Sequence, residues 1–284
     1  MFVCGQKNLL ARVDKLIEED KFPRFFIIVG DTGHGKKVLS DYIARKLGAL
    51  FVPSELKVEN VRETINDSYT VVEKTLYMFA DCDNMSVNSK NALLKVTEEP
   101  PNNSYFIMTV RDVNNLLATL ISRGTVFYIE PYTDKDIKEF IEYKNYSFTK
   151  EVSSIVSDIC VCPQDVIIAS SIDIKSIYEL ADKFIQFIGN ANLGNELKIS
   201  TLLSTKKEDD KIDPIIFLRC IMLKCNSYLL DVENLDKETT YKLHQIIKTT
   251  SIYLIELSKK GCSKQMLLDN WIVSTHMAIT GGEF

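Results

Sequence analysis

The sequence predicts a doubly wound α/β domain followed by helices alone. Over the first 130 residues, short apolar runs of strand length alternate with amphipathic helical patterns, which is typical of a parallel sheet with helices on both faces. After Glu130 the strand-like runs stop, and apolar residues recur at helical spacing. We expect an α/β domain over residues 1–130, a small helical domain over 131–173 and a C-terminal helical domain over 174–284.

Four apolar runs in the first region predict buried strands, at residues 25–29, 75–80, 104–110 and 125–129. Helical patterns surround them, at residues 9–19, 37–47, 58–66 and 87–99. Pro100 and Pro101 end the last of these helices.

The rest of the chain predicts only helices, at residues 134–143, 152–160, 165–170, from 174 onward, 212–230, 237–258 and 264–277. Gly194, the charged run 206–211 and Gly261 are predicted to be linkers. Trp271 is either a core residue of this bundle or the anchor of a contact with a partner.

Composition excludes several classes of protein. The net charge of -5 argues against a chain that holds DNA by its overall charge. No apolar run approaches the length of a membrane span, and no secretory signal is recognisable at the start, so we expect a cytoplasmic protein with no membrane partner. The seven scattered cysteines lack zinc-site spacing and are expected to be reduced and partly buried.

A glycine-rich segment after the first predicted strand has the spacing of a phosphate-binding loop. Gly30, Gly33 and Gly35 precede Lys36, and a helical pattern follows. The next position normally holds Ser or Thr, whose hydroxyl ligates magnesium, but here it is Lys37. The loop amides and the helix N-terminus still attract anions, so we expect either weak binding of ATP or phosphate or an empty loop.

Three stretches together resemble the AAA+ clamp-loader family, and most closely the delta-prime subunits of bacterial DNA polymerase III. The most specific is 91–101, which ends in the turn Glu98-Glu99-Pro100-Pro101; the second is the strand, spacer and Ser-Arg pair of 106–123. The third is Gly5-Gln6, at the family's distance from the P-loop. The resemblance covers about residues 1–170 and implies an AAA+ P-loop domain, a small helical lid and a C-terminal helical collar.

The resemblance also exposes a second departure at the magnesium site. In the family, the second recognised strand ends in an acidic motif whose first carboxylate holds magnesium and whose second polarises water. Aligning the motif with residues 80–83 places Ala80 at the metal position and Asp81 at the water position, with Asp83 following. The alternative is a shifted register in which Ala80 is only a strand-end residue. With both magnesium ligands lost, we expect negligible hydrolysis.

Other family positions imply roles for single residues. Arg123 matches an arginine that projects across a subunit interface towards a neighbour's ATP; the alternative is a surface ion pair. Gly124 stands where the family has cysteine. Thr109 lies at a polar sensor position, or serves only sheet packing. Gln164 stands where active members carry a second sensor arginine. The family's four-cysteine zinc module is missing, so we expect no zinc. Because both magnesium ligands are lost, we expect no magnesium either.

These features predict a non-catalytic, delta-prime-like stator that helps load the sliding clamp onto primed DNA. The implied partners are gamma/tau-like ATPase and delta-like subunits and, through the complex, the clamp and primed DNA. One alternative is an active clamp-loader-type ATPase that binds magnesium through Asp81 or Asp83. Another is a free-standing DNA-binding module, against which the acidic composition argues.

Overall fold

The structure, a computed structural model, describes residues 2–188, 193–194, 196–197, 212–230, 235–257 and 263–281. The predicted linkers at 206–211 and Gly261 lie outside these residues, whereas Gly194 lies in a helical segment and is not a linker. The chain forms two compact units, Met1–Phe140 with Cys162–Gln164, and Ile141–Val161 with Asp165–Phe284. The division into P-loop domain, lid and collar stays a prediction.

The first unit contains a sheet of five parallel strands in the order β2-β3-β4-β1-β5. The strands are β1 (Phe25–Val29), β2 (Leu50–Ser54), β3 (Thr75–Phe79), β4 (Ser104–Val110) and β5 (Thr125–Tyr128). Four of them, β1, β3, β4 and β5, confirm the predicted strands. The apolar runs of β1, β3 and β4 are buried on both faces, whereas the edge strand β5 is only partly buried. The edge strand β2 was not predicted: it is only partly buried, and Pro53 weakens its strand pattern.

Helices cover both faces of the sheet, as the prediction of a doubly wound domain requires. Successive strand residues point to opposite faces, so Phe25 and Ile27 belong to one core cluster and Phe26 and Ile28 to the other. The first cluster packs against α3 (Val58–Thr70), α4 (Val87–Glu98) and the short α5 (Ala118–Ile121). The second packs against α1 (Lys7–Glu18) and α2 (Lys36–Leu47).

The longer helices after β5 are α6 (Asp134–Lys144), α7 (Lys150–Ile159), α8 (Pro163–Ala169), α9 (Ile174–Phe187), α10 (Pro214–Leu230), α11 (Lys237–Leu257) and α12 (Lys264–Thr280). They confirm the predicted helices to within a few residues at their ends. Across the part of the chain described, no helix is both long enough and apolar enough to cross a membrane.

Trp271 organises the core of the second unit. It is fully buried, its ring stacks on Phe184 at a centroid distance of 5.0 Å, and it meets Phe217 edge-on at 6.3 Å. Its indole N–H donates to Thr250 Oγ1 at 3.1 Å, which satisfies the one polar atom that burial would otherwise leave unpaired. Trp271 is therefore a core residue, and its interpretation as a partner anchor is wrong.

Candidate functional site

The P-loop lies at the carboxyl edge of the sheet, between β1 and α2. Gly33 and Gly35 adopt φ angles of 83° and 78°, a left-handed conformation that glycine accepts without strain. Gly30 is required for a different reason: a Cβ there would lie 3.0 Å from Ile129 Cβ. The three glycines predicted from spacing thus have a backbone or packing role in the loop.

Lys36 folds back onto its own loop. Its ammonium nitrogen donates to the carbonyl oxygens of Gly30 and Asp31 at 2.6 and 2.9 Å. Burial lowers the pKa of Lys36, and the nearby carboxylates of Asp81, Asp83 and Asp31 oppose that effect only in part. The Lys36 ammonium is thus already paired with acceptors of its own loop.

Neither predicted magnesium position supplies an oxygen atom from its side chain. Lys37 is exposed on the first turn of α2, and Ala80 is exposed directly after the last residue of β3. Among the described residues, no cluster of three or more His, Cys, Asp or Glu side chains is arranged to hold a metal ion.

Asp81 and Asp83 follow Ala80 with different surroundings. Asp81 has a left-handed backbone with φ 54°, and its N–H donates to Thr109 Oγ1 at 3.1 Å. Thr109, in β4, is 1% exposed, so its hydroxyl ties the end of β3 to its neighbouring strand. Thr109 therefore has a polar role as well as a packing role.

The Asp83 carboxylate stabilises the loop that follows β4. It accepts hydrogen bonds from the backbone N–H of Arg111 at 2.9 Å, from that of Asp112 at 3.2 Å and from the Asn115 side chain at 3.0 Å. Burial alone would raise the pKa of Asp83, but these hydrogen bonds outweigh burial and the pKa is lowered. The carboxylate is thus already occupied by donors of its own chain.

Two further segments of the first unit cover the P-loop. A Cβ at Gly33 would lie 2.7 Å from Gln164 Cβ and 3.1 Å from Cys162 Sγ, so residues 162–164 pack directly on the loop. On another side, the Tyr132 hydroxyl donates to the His34 carbonyl oxygen at 2.8 Å, and burial raises the pKa of Tyr132. Gln164 was predicted near this site from its family position; nothing in the sequence singled out Tyr132.

Arg123 lies apart from the P-loop, after α5. Its Nη2 donates to Glu98 Oε2 at 2.9 Å and its Nη1 to the Thr119 carbonyl oxygen at 2.7 Å. The Arg123 side chain is 30% exposed and that of Glu98 61% exposed. The ion pair foreseen as an alternative for Arg123 is therefore present. It joins the Ser-Arg segment to the Glu-Glu-Pro-Pro turn, a contact that was not predicted.

Gly124 departs from the family pattern for a steric reason. A Cβ at this position would lie 2.9 Å from Phe25 Cε1 and 3.0 Å from Ile27 Cδ1. The aromatic ring of Phe25 occupies the space that a side chain at position 124 would need. Phe25 therefore leaves no room for the cysteine that the resemblance implies at position 124.

The described cysteines are buried, reduced thiols, as predicted. They are Cys4, Cys82, Cys160, Cys162, Cys220 and Cys225. Cys262, the seventh in the sequence, lies outside the described residues.

Among known proteins, this chain is similar to DNA polymerase III subunits. A family model described as "DNA polymerase III, delta subunit" matches residues 52–133. DNA polymerase III subunit gamma of Buchnera aphidicola subsp. Schizaphis graminum is 26% identical over 55% of this chain and 53% of its own length. The gamma subunit of Buchnera aphidicola subsp. Baizongia pistaciae is 23% identical over 93% of this chain and 80% of its own. The tau subunit of Escherichia coli is 28% identical over 50% and 27%.

The chain spans about half the length of the first of these relatives. The similarities support the predicted resemblance to DNA polymerase III clamp-loader subunits, and they include both delta-type and gamma-type proteins. The assignment to delta-prime in particular stays a prediction.

Two solved structures from Thermotoga maritima share the fold. A DNA polymerase III gamma subunit-related protein superposes with a TM-score of 0.51 and 13% identity over 95% of this chain and 99% of its own. The RuvB Holliday junction branch migration motor gives a TM-score of 0.51 and 14% identity over 81% and 77%. They confirm the predicted α/β architecture, a parallel sheet with flanking helices.

Proposed function

We propose that this chain is a non-catalytic, delta-prime-like subunit of a DNA polymerase III clamp loader. The observation that carries the proposal is the pair of exposed positions at the sheet edge where magnesium ligands are expected: Lys37 and Ala80. Neither side chain has an oxygen atom. Because the metal neutralises charge on the transferred phosphoryl group, its loss removes several kcal/mol of transition-state stabilisation.

The contacts around the P-loop support a structural role for it. Lys36 already donates to two loop carbonyl oxygens, and residues 162–164 pack on Gly33. Gln164 stands where the resemblance calls for an arginine, and its amide has no charge to offer a phosphate. In this proposal the loop maintains the AAA+ fold and takes up ATP or phosphate weakly.

The chemical contribution of the chain is then Arg123, given to ATP bound by a neighbouring gamma/tau-like subunit. Its side chain is partly exposed after α5. A trans arginine of this kind contributes about 10³–10⁵ in rate. The chain itself serves as the stator of a complex that also contains a delta-like subunit and loads a sliding clamp onto primed DNA.

One observation favours an alternative, an active ATPase with a different metal ligand. Asp31, Asp81 and Asp83 all act electrostatically on Lys36, and such negative charge attracts a cation. Asp83 is a poor candidate because its oxygens accept three hydrogen bonds from the loop after β4. The alternative therefore depends on Asp81.

A single-turnover assay with radiolabelled ATP separates the two functions. The purified chain is expected to hydrolyse no ATP above the background of its Lys36→Ala variant, because both lack a magnesium ligand set. Asp81→Ala is the second comparison. Turnover that requires both Lys36 and Asp81 would establish the alternative and overturn the proposal.

The role of Arg123 is tested in the complex co-purified from the source organism, with its associated chains identified by mass spectrometry. Arg123→Ala is expected to lower turnover at the neighbouring ATP site about 10³-fold or more without dissolving the complex. Arg45→Ala is the matched control, since Arg45 also pairs with a carboxylate, Asp41, on an exposed surface of α2. Equal turnover in the Arg123→Ala, Arg45→Ala and unmodified complexes contradicts the trans role.

A further inference from the structure

The Arg123 guanidinium is held at both of its terminal nitrogens by its own chain. Nη1 donates to the Thr119 carbonyl oxygen at 2.7 Å and Nη2 to Glu98 Oε2 at 2.9 Å. A guanidinium has five N–H donors in one plane, so these two contacts leave three for other acceptors. The side chain remains 30% exposed, which keeps part of that donor edge open to solvent.

The two acceptors differ in rigidity. The Thr119 oxygen belongs to the backbone of α5 and is fixed by the helix. Glu98 is the last residue of α4 and its side chain is 61% exposed, so its carboxylate stays near the guanidinium by charge and hydrogen bonding alone. The Thr119 carbonyl oxygen and the Glu98 carboxylate together define the plane of the guanidinium. Of these two acceptors, only the carboxylate can be removed by a substitution that leaves the backbone unaltered.

We propose that Glu98 is a positioning residue for Arg123, an inference that rests on the proposed trans role of this arginine. The carboxylate accepts a hydrogen bond from Nη2 and fixes the orientation of the guanidinium, while the remaining N–H groups are left for an incoming phosphate. A side chain that is already held in one orientation loses less conformational entropy when it binds the phosphate, so binding costs less free energy. Glu98 itself touches neither nucleotide nor metal.

The chain offers a matched control one residue away. Glu99 belongs to the same turn and is also exposed, but it lines the groove between α3 and α4, together with Arg62 and Lys95. Glu99→Ala removes the same charge from the same turn without removing the acceptor of Arg123. A structural effect of the turn therefore appears in both variants, and a positioning effect only in Glu98→Ala.

The first experiment measures the restraint in the isolated chain. Phenylglyoxal modifies arginine guanidinium groups, and peptide mass spectrometry gives the rate at Arg123 and, as an internal reference, at Arg45. Because exposed ion pairs are weak, Glu98→Ala is expected to accelerate modification of Arg123 about 2–5-fold at low salt. The acceleration shrinks at about 1 M salt, where charges are screened. Glu99→Ala and the rate at Arg45 stay unchanged.

The second experiment measures the consequence in the assembled complex. Glu98→Ala is expected to lower kcat about 2–5-fold with little change in KM, since the misplaced guanidinium matters most in the transition state. Glu98→Gln keeps an acceptor oxygen but loses the charge, and it is expected to recover part of the loss. A merely structural role would not give this rescue.

The outcomes distinguish the inference from the function on which it rests. An unchanged rate of Arg123 modification in Glu98→Ala overturns the inference. So does a complex in which Arg123→Ala abolishes turnover at the neighbouring site while Glu98→Ala leaves kcat intact. A complex in which Arg123→Ala itself has no effect overturns the proposed function, and the positioning role with it.

Discussion

Gly124→Ala is expected to destabilise the core beside Arg123. The added methyl would lie 2.9 Å from Phe25 Cε1 and 3.0 Å from Ile27 Cδ1, whereas carbon atoms pack best at about 3.5–4.0 Å. Phe25 is 3% exposed and Ile27 is fully buried, and Ile27 lies on a strand paired on both sides. Overpacking costs about 1–3 kcal/mol. The lower entropy of unfolded alanine offsets about 0.4–1 kcal/mol, so the midpoints of the two ranges give an expected net loss of about 1.3 kcal/mol.

A double-mutant cycle tests whether Phe25 is the cause. Amide hydrogen exchange in a urea series, followed by mass spectrometry of β1 peptides, gives the free energy of opening for each variant. Phe25→Leu shortens the opposing side chain, so Gly124→Ala is expected to cost at least about 0.5 kcal/mol less in that background. Gly48→Ala is the control for additivity, because no atom lies within 4 Å of its Cβ position.

Two results would refute this reasoning. If Gly124→Ala costs the same with phenylalanine and with leucine at position 25, the steric contact is not responsible. If the Gly124→Ala chain is as stable as the unmodified chain, the space beside β1 is larger than the interatomic distances indicate.

Three further predictions concern burial and charge. Cys4 and Cys82 should react with iodoacetamide only slowly at pH 8, because burial raises the pKa of each thiol to about 12 and leaves about one thiolate in 10⁴; peptide mass spectrometry with and without urea checks this, and fast alkylation of the folded chain contradicts it. Trp271→Ala should destabilise the second unit by about 3–5 kcal/mol, measured by hydrogen exchange of α9 peptides, and a loss below about 1 kcal/mol contradicts its place in the core. Asp83→Asn should cost about 1–3 kcal/mol, because an amide cannot accept every bond that the carboxylate takes from Arg111 and its neighbours. Since folding lowers the pKa of Asp83, its stabilisation is present above the ordinary aspartate pKa and is lost as the pH falls through the folded value; parallel urea-unfolding profiles of the two chains across acid pH would contradict this.

Much of the α/β domain could be predicted because its strands are continuous apolar runs. β1, β3 and β4 are buried on both faces, so their sequences are predominantly apolar, with Thr109 as a polar residue inside β4. β2 escaped prediction because an edge strand has an exposed side and tolerates Pro53. The loop glycines were also predictable, since fixed spacing and backbone conformation go together.

The contacts that define the site were less predictable because they join distant parts of the chain. Glu98 meets Arg123 across 25 positions, and Tyr132 meets His34 across 98. Local spacing carries no information on such pairs, which depend on how the parallel sheet brings the ends of its strands together. Glu98 and Arg123 precede the amino ends of β4 and β5, whereas His34 and Tyr132 follow the carboxyl ends of β1 and β5. Asp83 illustrates the same limit: its sequence position suits a metal ligand, but its oxygens bind the loop after β4.

In the proposed weak binding of ATP or phosphate, the hydrogen bonds from Lys36 to the carbonyl oxygens of Gly30 and Asp31 make anion uptake an exchange of acceptors. An entering phosphate must take the ammonium from two acceptors that already satisfy it, and water must then solvate the carbonyl groups left behind. The enthalpy of phosphate binding is therefore the difference between the hydrogen bonds that Lys36 makes to the phosphate and those that it gives up to the carbonyl oxygens. The affinity for an anion at this loop therefore reflects the preference of the Lys36 ammonium for the anion over the two carbonyl oxygens. A mutation that weakens the carbonyl contacts raises this affinity, just as a mutation that adds a contact to the anion does.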